Sequence, residues 1–275
     1  MPELPEVEVT RRGIEPELAG QRFLGATVRF PSLRLPIPPD LAQRLAGRRL
    51  ERIVRRGKYL LFDCEAAGGG GWLLLHLGMS GSLRLVAAET PPEKHDHVDL
   101  RFAGRSLRFR DPRRFGVLLW LDGPEWAAHP LLVDLGIEPL TAEFDGAKLQ
   151  ALFARRQSPV KLVLMDAHVL VGVGNIYAAE SLFRAGISPF RPAASLSRAE
   201  CERLAVAVQD TLRAAIAAGG SSLRDFVHSD GSSGYFQIDC AVYGRAGQVC
   251  RRCSGQVGQV RQAGRATFYC QNCQI

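Results

Sequence analysis

The chain begins Met1-Pro2-Glu3-Leu4-Pro5-Glu6. A small residue after the initiator methionine normally permits its removal, which would leave Pro2 as a terminal secondary amine. An α-amino group titrates near about 7.7–8.0, so a useful fraction is neutral and nucleophilic at physiological pH, whereas a lysine near about 10.4 must be desolvated first. Such an amine can attack an acetal carbon and collapse to an iminium, which is Schiff-base chemistry. Glu3, the next residue, is suited to general acid or base work. On their own these residues also suit a plain terminus ahead of a helix.

The other end carries a second pattern. Cys250-x2-Cys253 and Cys270-x2-Cys273, with sixteen residues between the pairs, match a four-cysteine zinc ribbon. Four thiolates close the shell of one zinc ion, so the expected role is structural. A hairpin between the pairs would turn near Gln262-Ala263-Gly264 and present Arg265 beside its tip, where it could grip a phosphate.

Between these ends lie smaller candidates. Asn175 follows Gly172-Val173-Gly174 at a helix start, where exposed N–H groups and the helix dipole favour a phosphate; the alternative is a simple cap. Arg55, Arg56 and Lys58 surround Gly57, a basic cluster fit for a sugar-phosphate backbone or a solvated strand end. His76-Leu77-Gly78-Met79-Ser80-Gly81 and Asp111-Pro112-Arg113-Arg114-Phe115-Gly116 are two turns. Singly, Met79 and Phe115 suit a core. Together, a Met, an Arg and a Phe on loops are tools for entering a duplex and filling the gap left by an extruded nucleotide.

These residues need elements to hold them. Pro5 to Gly13 reads as a helix, short or kinked at Gly13 and Pro16, with Val9 at a core position. Short strands follow at 23–28, 50–54, 58–62, 72–76, 82–86, 98–102, 106–109 and 117–120, a β-sandwich or barrel. Pro31–Pro39 is a loop, and Gly68–Gly71 is a hairpin tip. Beyond residue 135 the pattern is helical, at 148–153, 159–165, 175–185 and from the capping box Ser197–Glu200 to Gly219-Gly220. Residues 228–237 read as a loop. The expected organisation is α+β: a helix and β domain over 1–135, a linker at 136–146, a helical domain at 147–238 and a ribbon at 239–275.

The 275 residues carry a formal charge of +7, and 46% are hydrophobic. That balance favours a polyanionic partner, weakly by itself. No apolar run reaches the roughly 18 residues of a membrane span, and no signal peptide is visible. Cys64, Cys201 and Cys240 are scattered singles, so cysteine usage fits metal binding in a reducing cytoplasm.

Taken in order, Pro2–Glu8, Arg56–Leu60, His76–Gly81, Asp111–Gly116, Gly172–Ala178 and the cysteine ribbon resemble the bacterial formamidopyrimidine-DNA glycosylases over essentially the whole chain. Those enzymes remove 8-oxoguanine and ring-opened purines from DNA. The resemblance implies a β-sandwich domain, a helix–two-turns–helix domain with the zinc ribbon, and duplex DNA between them, bound by a monomer. It casts Pro2 as nucleophile on the sugar C1′, Glu3 as proton donor and acceptor, and Glu6 as support for the lesion nucleotide. Lys58 assists catalysis and holds a phosphate. His76, Arg114, Asn175 and Arg265 contact phosphates, and Met79, Arg113 and Phe115 fill the void. Lys161 lies near the lesion, and 228–237 closes over the everted base. The longer hairpin at Gly68–Gly71 departs from the family. Two alternatives stand: an endonuclease VIII-type enzyme for oxidised pyrimidines, and a non-catalytic DNA-binding protein on the same scaffold.

Overall fold

The computed structural model describes residues 1–66, 69–219 and 240–275. Part of the Gly68–Gly71 tip and the whole 228–237 loop therefore lie outside the described residues. The chain forms two compact units. One holds Met1–Val133, and the other joins Asp134–Ala218 to the C-terminal residues.

In the first unit, α1 (Leu4–Leu18) precedes eight strands: β1 (Gly25–Val28), β2 (Arg49–Arg56), β3 (Tyr59–Glu65), β4 (Gly71–His76), β5 (Ser82–Ala87), β6 (Asp96–Phe102), β7 (Arg105–Arg110) and β8 (Val117–Asp122). They make two antiparallel four-stranded sheets, ordered β1-β6-β7-β5 and β2-β3-β4-β8. Alternate residues point inward, as strand geometry requires. Leu60, Phe62, Cys64, Leu73 and Leu75 from one sheet share a core with Val98, Leu100, Phe102, Leu107 and Phe109 from the other. This is the sandwich rather than the barrel. A short helix, α2 (Leu41–Leu45), buries Leu41 and Leu45 in the same core and had no clear signal in the sequence.

The first helix departs from expectation. It runs unbroken through Gly13 and Pro16 to Leu18. In a helix interior glycine costs about 1 kcal/mol and proline about 3 kcal/mol, and burying Ile14 and Leu18 returns about 1.5–3 kcal/mol each; both are fully buried. Val7 occupies the core, and Val9 is only half-buried. Side-chain clamps register α1 on β2. Glu8 meets Arg12 at 2.7 Å, Arg11 at 2.9 Å and Arg55 at 3.1 Å. Glu15 accepts the Ile53 N–H at 2.8 Å. Going from Glu15 to Glu8 along the helix follows β2 from Ile53 to Arg55, so the start of α1 runs toward the β2–β3 turn.

The second unit contains α3 (Gly146–Phe153), α4 (Val160–Leu164), α5 (Asn175–Ala185), α6 (Arg198–Ala217) and a hairpin of β9 (Val257–Gln262) and β10 (Arg265–Cys270). The expected capping box opens α6: Glu200 accepts the Ser197 N–H at 2.8 Å while Ser197 Oγ accepts the Glu200 N–H at 3.3 Å. The ribbon is not separate from the helices. Ala179 and Phe183 of α5 share a core with Val242, Val257 and Phe268. The buried Glu180 carboxylate accepts the N–H groups of Ala241, Val242 and Tyr243 at 2.8–2.9 Å. No helix among the described residues is long and apolar enough to cross a membrane.

Burial alone would raise the Glu8 carboxyl. Hydrogen bonds from Arg11 and Arg12 and the charges of Arg11 and Arg55 outweigh it and hold Glu8 at about 2, against an ordinary 4.5. A carboxyl depressed on folding adds stability above its unfolded pKa, and that stability is lost as pH falls toward the folded one. Glu8→Gln is therefore expected to lower the urea midpoint at pH 7, with the gap to the parent narrowing between pH 4.5 and 2. An equal gap at pH 7 and pH 3 would show that the clamp is not electrostatic.

Candidate active site and nucleic-acid interface

Strand register gathers the candidates of the first unit at one end of the sandwich. Tyr59 pairs with His76, and His76 with Val117, a single row across β3, β4 and β8. Lys58 immediately precedes that row, Leu77 follows it and Gly116 precedes it. In the other sheet, Arg110 pairs with both Ser82 and Asp96. The loops at 77–81 and 111–116 both cross between sheets at this end, beside the β2–β3 turn. Gly57 takes φ +57° at the first position of that two-residue turn, a conformation glycine adopts freely, and this presents Lys58 at the tip.

The start of α1 points to the same end. Pro2, Glu3 and Glu6 are all buried. Glu3 is the N-cap, and its N–H donates to Glu6 Oε2 at 2.7 Å. Glu6 thus fixes the backbone that carries Pro2 and Glu3. Met1 is 40% exposed, so the chain can reach solvent directly before Pro2.

His76 accepts the Gly78 N–H on Nδ1 at 3.0 Å, and its ring lies 4.8 Å from that of Tyr59. With Nδ1 accepting, the proton resides on Nε2, which is left to donate. Burial, then the charges of Lys58 and Arg34, lowers its pKa from 6.5 to about 4. His76 is a neutral donor at physiological pH, unlike the arginines around it.

Met79 (39% exposed) and Phe115 (43%) are bulky apolar side chains held out on adjoining loops, not core filler. The Arg113 guanidinium lies 4.9 Å above the Phe115 ring, and that of Arg114 lies 4.6 Å above Phe30. Arg114 has φ +55°, a left-handed conformation that costs a non-glycine residue about 1–2 kcal/mol.

In the second unit, α4, the turns at 165–174 and α5 form two helices joined through glycines. Gly136 N–H donates to Ala167 O at 2.8 Å and Ile137 N–H to Val169 O at 3.1 Å, pinning the turns. Gly174 is the N-cap of α5 and Asn175 the first helical residue, so Asn175 is not the cap. Asn175 Nδ2 donates to Ala266 O at 3.0 Å, while its buried Oδ1 has no partner among the described residues.

The β9–β10 hairpin turns at Ala263-Gly264, with φ +45° and +77°, one residue before the exposed Arg265. Lys161 is fully buried. Its ammonium donates to Thr267 Oγ1 at 2.6 Å and to Ala266 O at 3.1 Å. Thr267 in turn donates to Gln262 Oε1 at 2.8 Å. Lys161 and Asn175 converge on the carbonyl next to Arg265, which brings Arg265 and the start of α5 together. Thr267 carried no signal in the sequence and Gln262 only that of the turn, because their link to each other depends on a lysine about a hundred residues away.

The four ribbon sulfurs all lie within 4.8 Å of one another, with Cys250–Cys273 at 3.9 Å and Cys253–Cys270 at 3.6 Å. A tetrahedral ion with metal–sulfur distances of about 2.3 Å needs edges of about 3.8 Å. The Arg252 and Gly255 N–H groups point at Cys250 and Cys253 Sγ, each at 3.4 Å. Burial and the neighbouring sulfurs push Cys273 up to about 12, so four thiolates need a cation among them. The cluster can hold a metal ion.

The formamidopyrimidine-DNA glycosylase N-terminal domain model matches residues 1–118, and the H2TH domain model of the same enzymes matches 135–227. The formamidopyrimidine-DNA glycosylase of Dechloromonas aromatica (strain RCB) is 60% identical over 276 residues, covering 100% of both chains. The chain belongs to the formamidopyrimidine-DNA glycosylase family. Among solved structures, the MutM (Fpg) protein of Thermus thermophilus superposes with a TM-score of 0.88 at 41% identity, covering 99% of this chain and 98% of that one. Lactococcus lactis Fpg bound to N7-benzyl-Fapy-dG DNA gives 0.90 at 33% identity, covering 99% of each. The same enzyme with abasic-site DNA gives 0.89 at 33% identity, again over 99% of each.

In this member of the family, His76 is expected to stay neutral. Its ring protons in an NMR titration should not shift between pH 5.5 and 8, and a midpoint near 6.5 would refute the hydrogen-bonded, half-buried arrangement.

Proposed function

We propose that this chain is a base-excision repair enzyme that removes 8-oxoguanine and formamidopyrimidines from duplex DNA and then cuts the abasic strand. The observation that carries the reading is the full-length family match in which Pro2 and Glu3 sit buried at the cap of α1. With Met1 removed, Pro2 nitrogen attacks the sugar C1′ and the damaged base departs with a proton from Glu3. The sugar ring opens to leave an iminium between Pro2 and C1′. The iminium acidifies the C2′ proton, whose removal expels the 3′ phosphate; a second elimination expels the 5′ phosphate. Water then releases the sugar fragment and restores Pro2.

The remaining residues bind and position. Lys58 holds a phosphate beside the reacting sugar, and His76 donates from neutral Nε2 to another. Arg114, Asn175 and Arg265 grip the backbone, which fits the +7 charge. Met79, Arg113 and Phe115 fill the space vacated by the everted nucleotide, and eversion costs least for a damaged base. Glu6 supports the lesion nucleotide through the turn it fixes. Lys161 acts from below, by holding the carbonyl next to Arg265. The metal is one zinc ion on Cys250, Cys253, Cys270 and Cys273, with no open position for chemistry. The enzyme acts as a cytoplasmic monomer.

Borohydride reduction during turnover is expected to trap a protein–DNA crosslink that maps to Pro2. Protein retaining Met1 should bind lesion DNA and cut nothing, because its Pro2 nitrogen is an amide. A crosslink on a lysine, or full activity with Met1 retained, would overturn the mechanism. Because one solved Lactococcus lactis complex holds an oxidised-pyrimidine DNA, thymine glycol duplexes belong beside 8-oxoguanine ones; preference for the pyrimidine would favour an endonuclease VIII-type assignment.

Cys253→Ser is expected to release zinc and weaken DNA binding while the first unit keeps its unfolding transition. Full metal content with unchanged affinity would remove the ribbon from the interface.

A further inference from the structure

Two loops that cross between the sheets, 77–81 and 111–116, carry Met79 and the Arg113–Phe115 stretch. They are joined by one buried carboxylate. Asp111 is fully buried. Its Oδ1 accepts the Ser80 hydroxyl at 2.8 Å and lies 3.3 Å from the Arg113 N–H. Its Oδ2 accepts the Gly116 N–H at 2.7 Å. Ser80 Oγ also accepts the Arg113 N–H at 3.2 Å. His97 Nε2 donates to the Asp111 carbonyl at 2.9 Å.

The backbones of the two loops also touch. A Cβ on Gly78 would lie 2.4 Å from the Phe115 carbonyl carbon and 2.6 Å from Gly116 N, and Gly78 has φ +66°. The Arg114 backbone is held left-handed inside this enclosure, with its N–H donating to Asp111 O at 3.2 Å. An unfavourable backbone conformation persists only where its surroundings over-determine it. Here the surroundings are the Asp111 carboxylate, the Ser80 hydroxyl and the close approach at Gly78.

We propose that Ser80 and Asp111 form a latch that locks the 77–81 loop to the 111–116 loop, and that Ser80 is thereby a positioning residue for nucleotide eversion. This rests on the void-filling role given above to Met79, Arg113 and Phe115. Separately, each loop could keep its own turn: Asp111 with Gly116, and Gly81 N–H with Leu77 O at 2.8 Å. Among the described residues, the Ser80 hydroxyl makes the side-chain hydrogen bonds that span the two. Without it, the loops still meet by backbone packing at Gly78, but Met79 and Phe115 are held less firmly, and a wedge that yields cannot hold a base out of the stack. Chemistry at the sugar does not pass through this contact.

The test compares Ser80→Ala with Ser80→Thr, which restores a hydroxyl, and with Asp111→Asn, whose single amide oxygen cannot serve both Ser80 and Gly116. Single-turnover release of 8-oxoguanine from duplex DNA should slow about tenfold in Ser80→Ala, the scale of one hydrogen bond to a charged group. Cutting of a preformed abasic strand should stay within about twofold, and Ser80→Thr should recover most of the release rate. Backbone hydrogen exchange, read without DNA, should quicken in both loops at once in Ser80→Ala. Exchange that quickens only at 77–81, or loss of both activities alike, would overturn the latch. If exchange quickens in both loops while base release is unchanged, the latch stands as structure and its role in eversion falls. A parent protein inactive on 8-oxoguanine yet coupled in exchange would refute the substrate reading and leave the latch intact. Should Ser80→Ala fail to fold, Asp111→Asn carries the same exchange comparison.

Discussion

The row Tyr59–His76–Val117 is the constraint on which the first unit's site depends. A strand slip of one residue exchanges its two faces. Such a slip in β4 would turn Leu73 and Leu75 out of the core and move His76 away from Tyr59. Burial of those leucines therefore also fixes where the strands end. The β2–β3 turn, the 77–81 loop and the 111–116 loop issue from those ends, so hydrophobic register places Lys58, Met79 and Phe115 at one end of the sandwich.

Buried carboxylates do the finer placing, and each does so by accepting N–H, O–H or guanidinium donors. Glu8 ties α1 to β2, Glu6 fixes the turn that bears Glu3, Asp111 joins two loops, and Glu180 holds the start of the ribbon. A buried carboxylate without donors would be strongly unfavourable, so these groups tolerate few alternative geometries. They convert an approximate fold into a defined arrangement of side chains. The exposed Met79 and Phe115 stand on backbone that is held in this way, so their exposure is compatible with a fixed position.

The second unit applies the same logic with a metal-binding cluster. The four sulfurs set the base of the β9–β10 hairpin, and its tip is fastened to α4 and α5 by Lys161 and Asn175 through the Ala266 carbonyl. Arg265 then projects from a hairpin held at both ends. The ribbon also packs on Phe183 and closes the end of α5, where Arg252 donates to Phe183 O and Arg184 O. Ribbon and helices consequently share a core.

Sequence reading was enough for the strands, the capping box at Ser197, the four-cysteine spacing and the motifs that mark the family, because these rest on local period, local turn chemistry or fixed spacing. It misjudged α1, since the cost of Gly13 and Pro16 is local but the burial of Ile14 and Leu18 that offsets it is not. It passed over α2 for the same reason. It left Asn175 open between cap and ligand, and only the backbone conformation of Gly174 assigned the cap elsewhere. The neutrality of His76, the burial of Lys161 and the linkage of Ser80 to Asp111 were decided by tertiary structure alone. Each depends on groups brought together from distant parts of the chain, and no residue pattern records the distance between them.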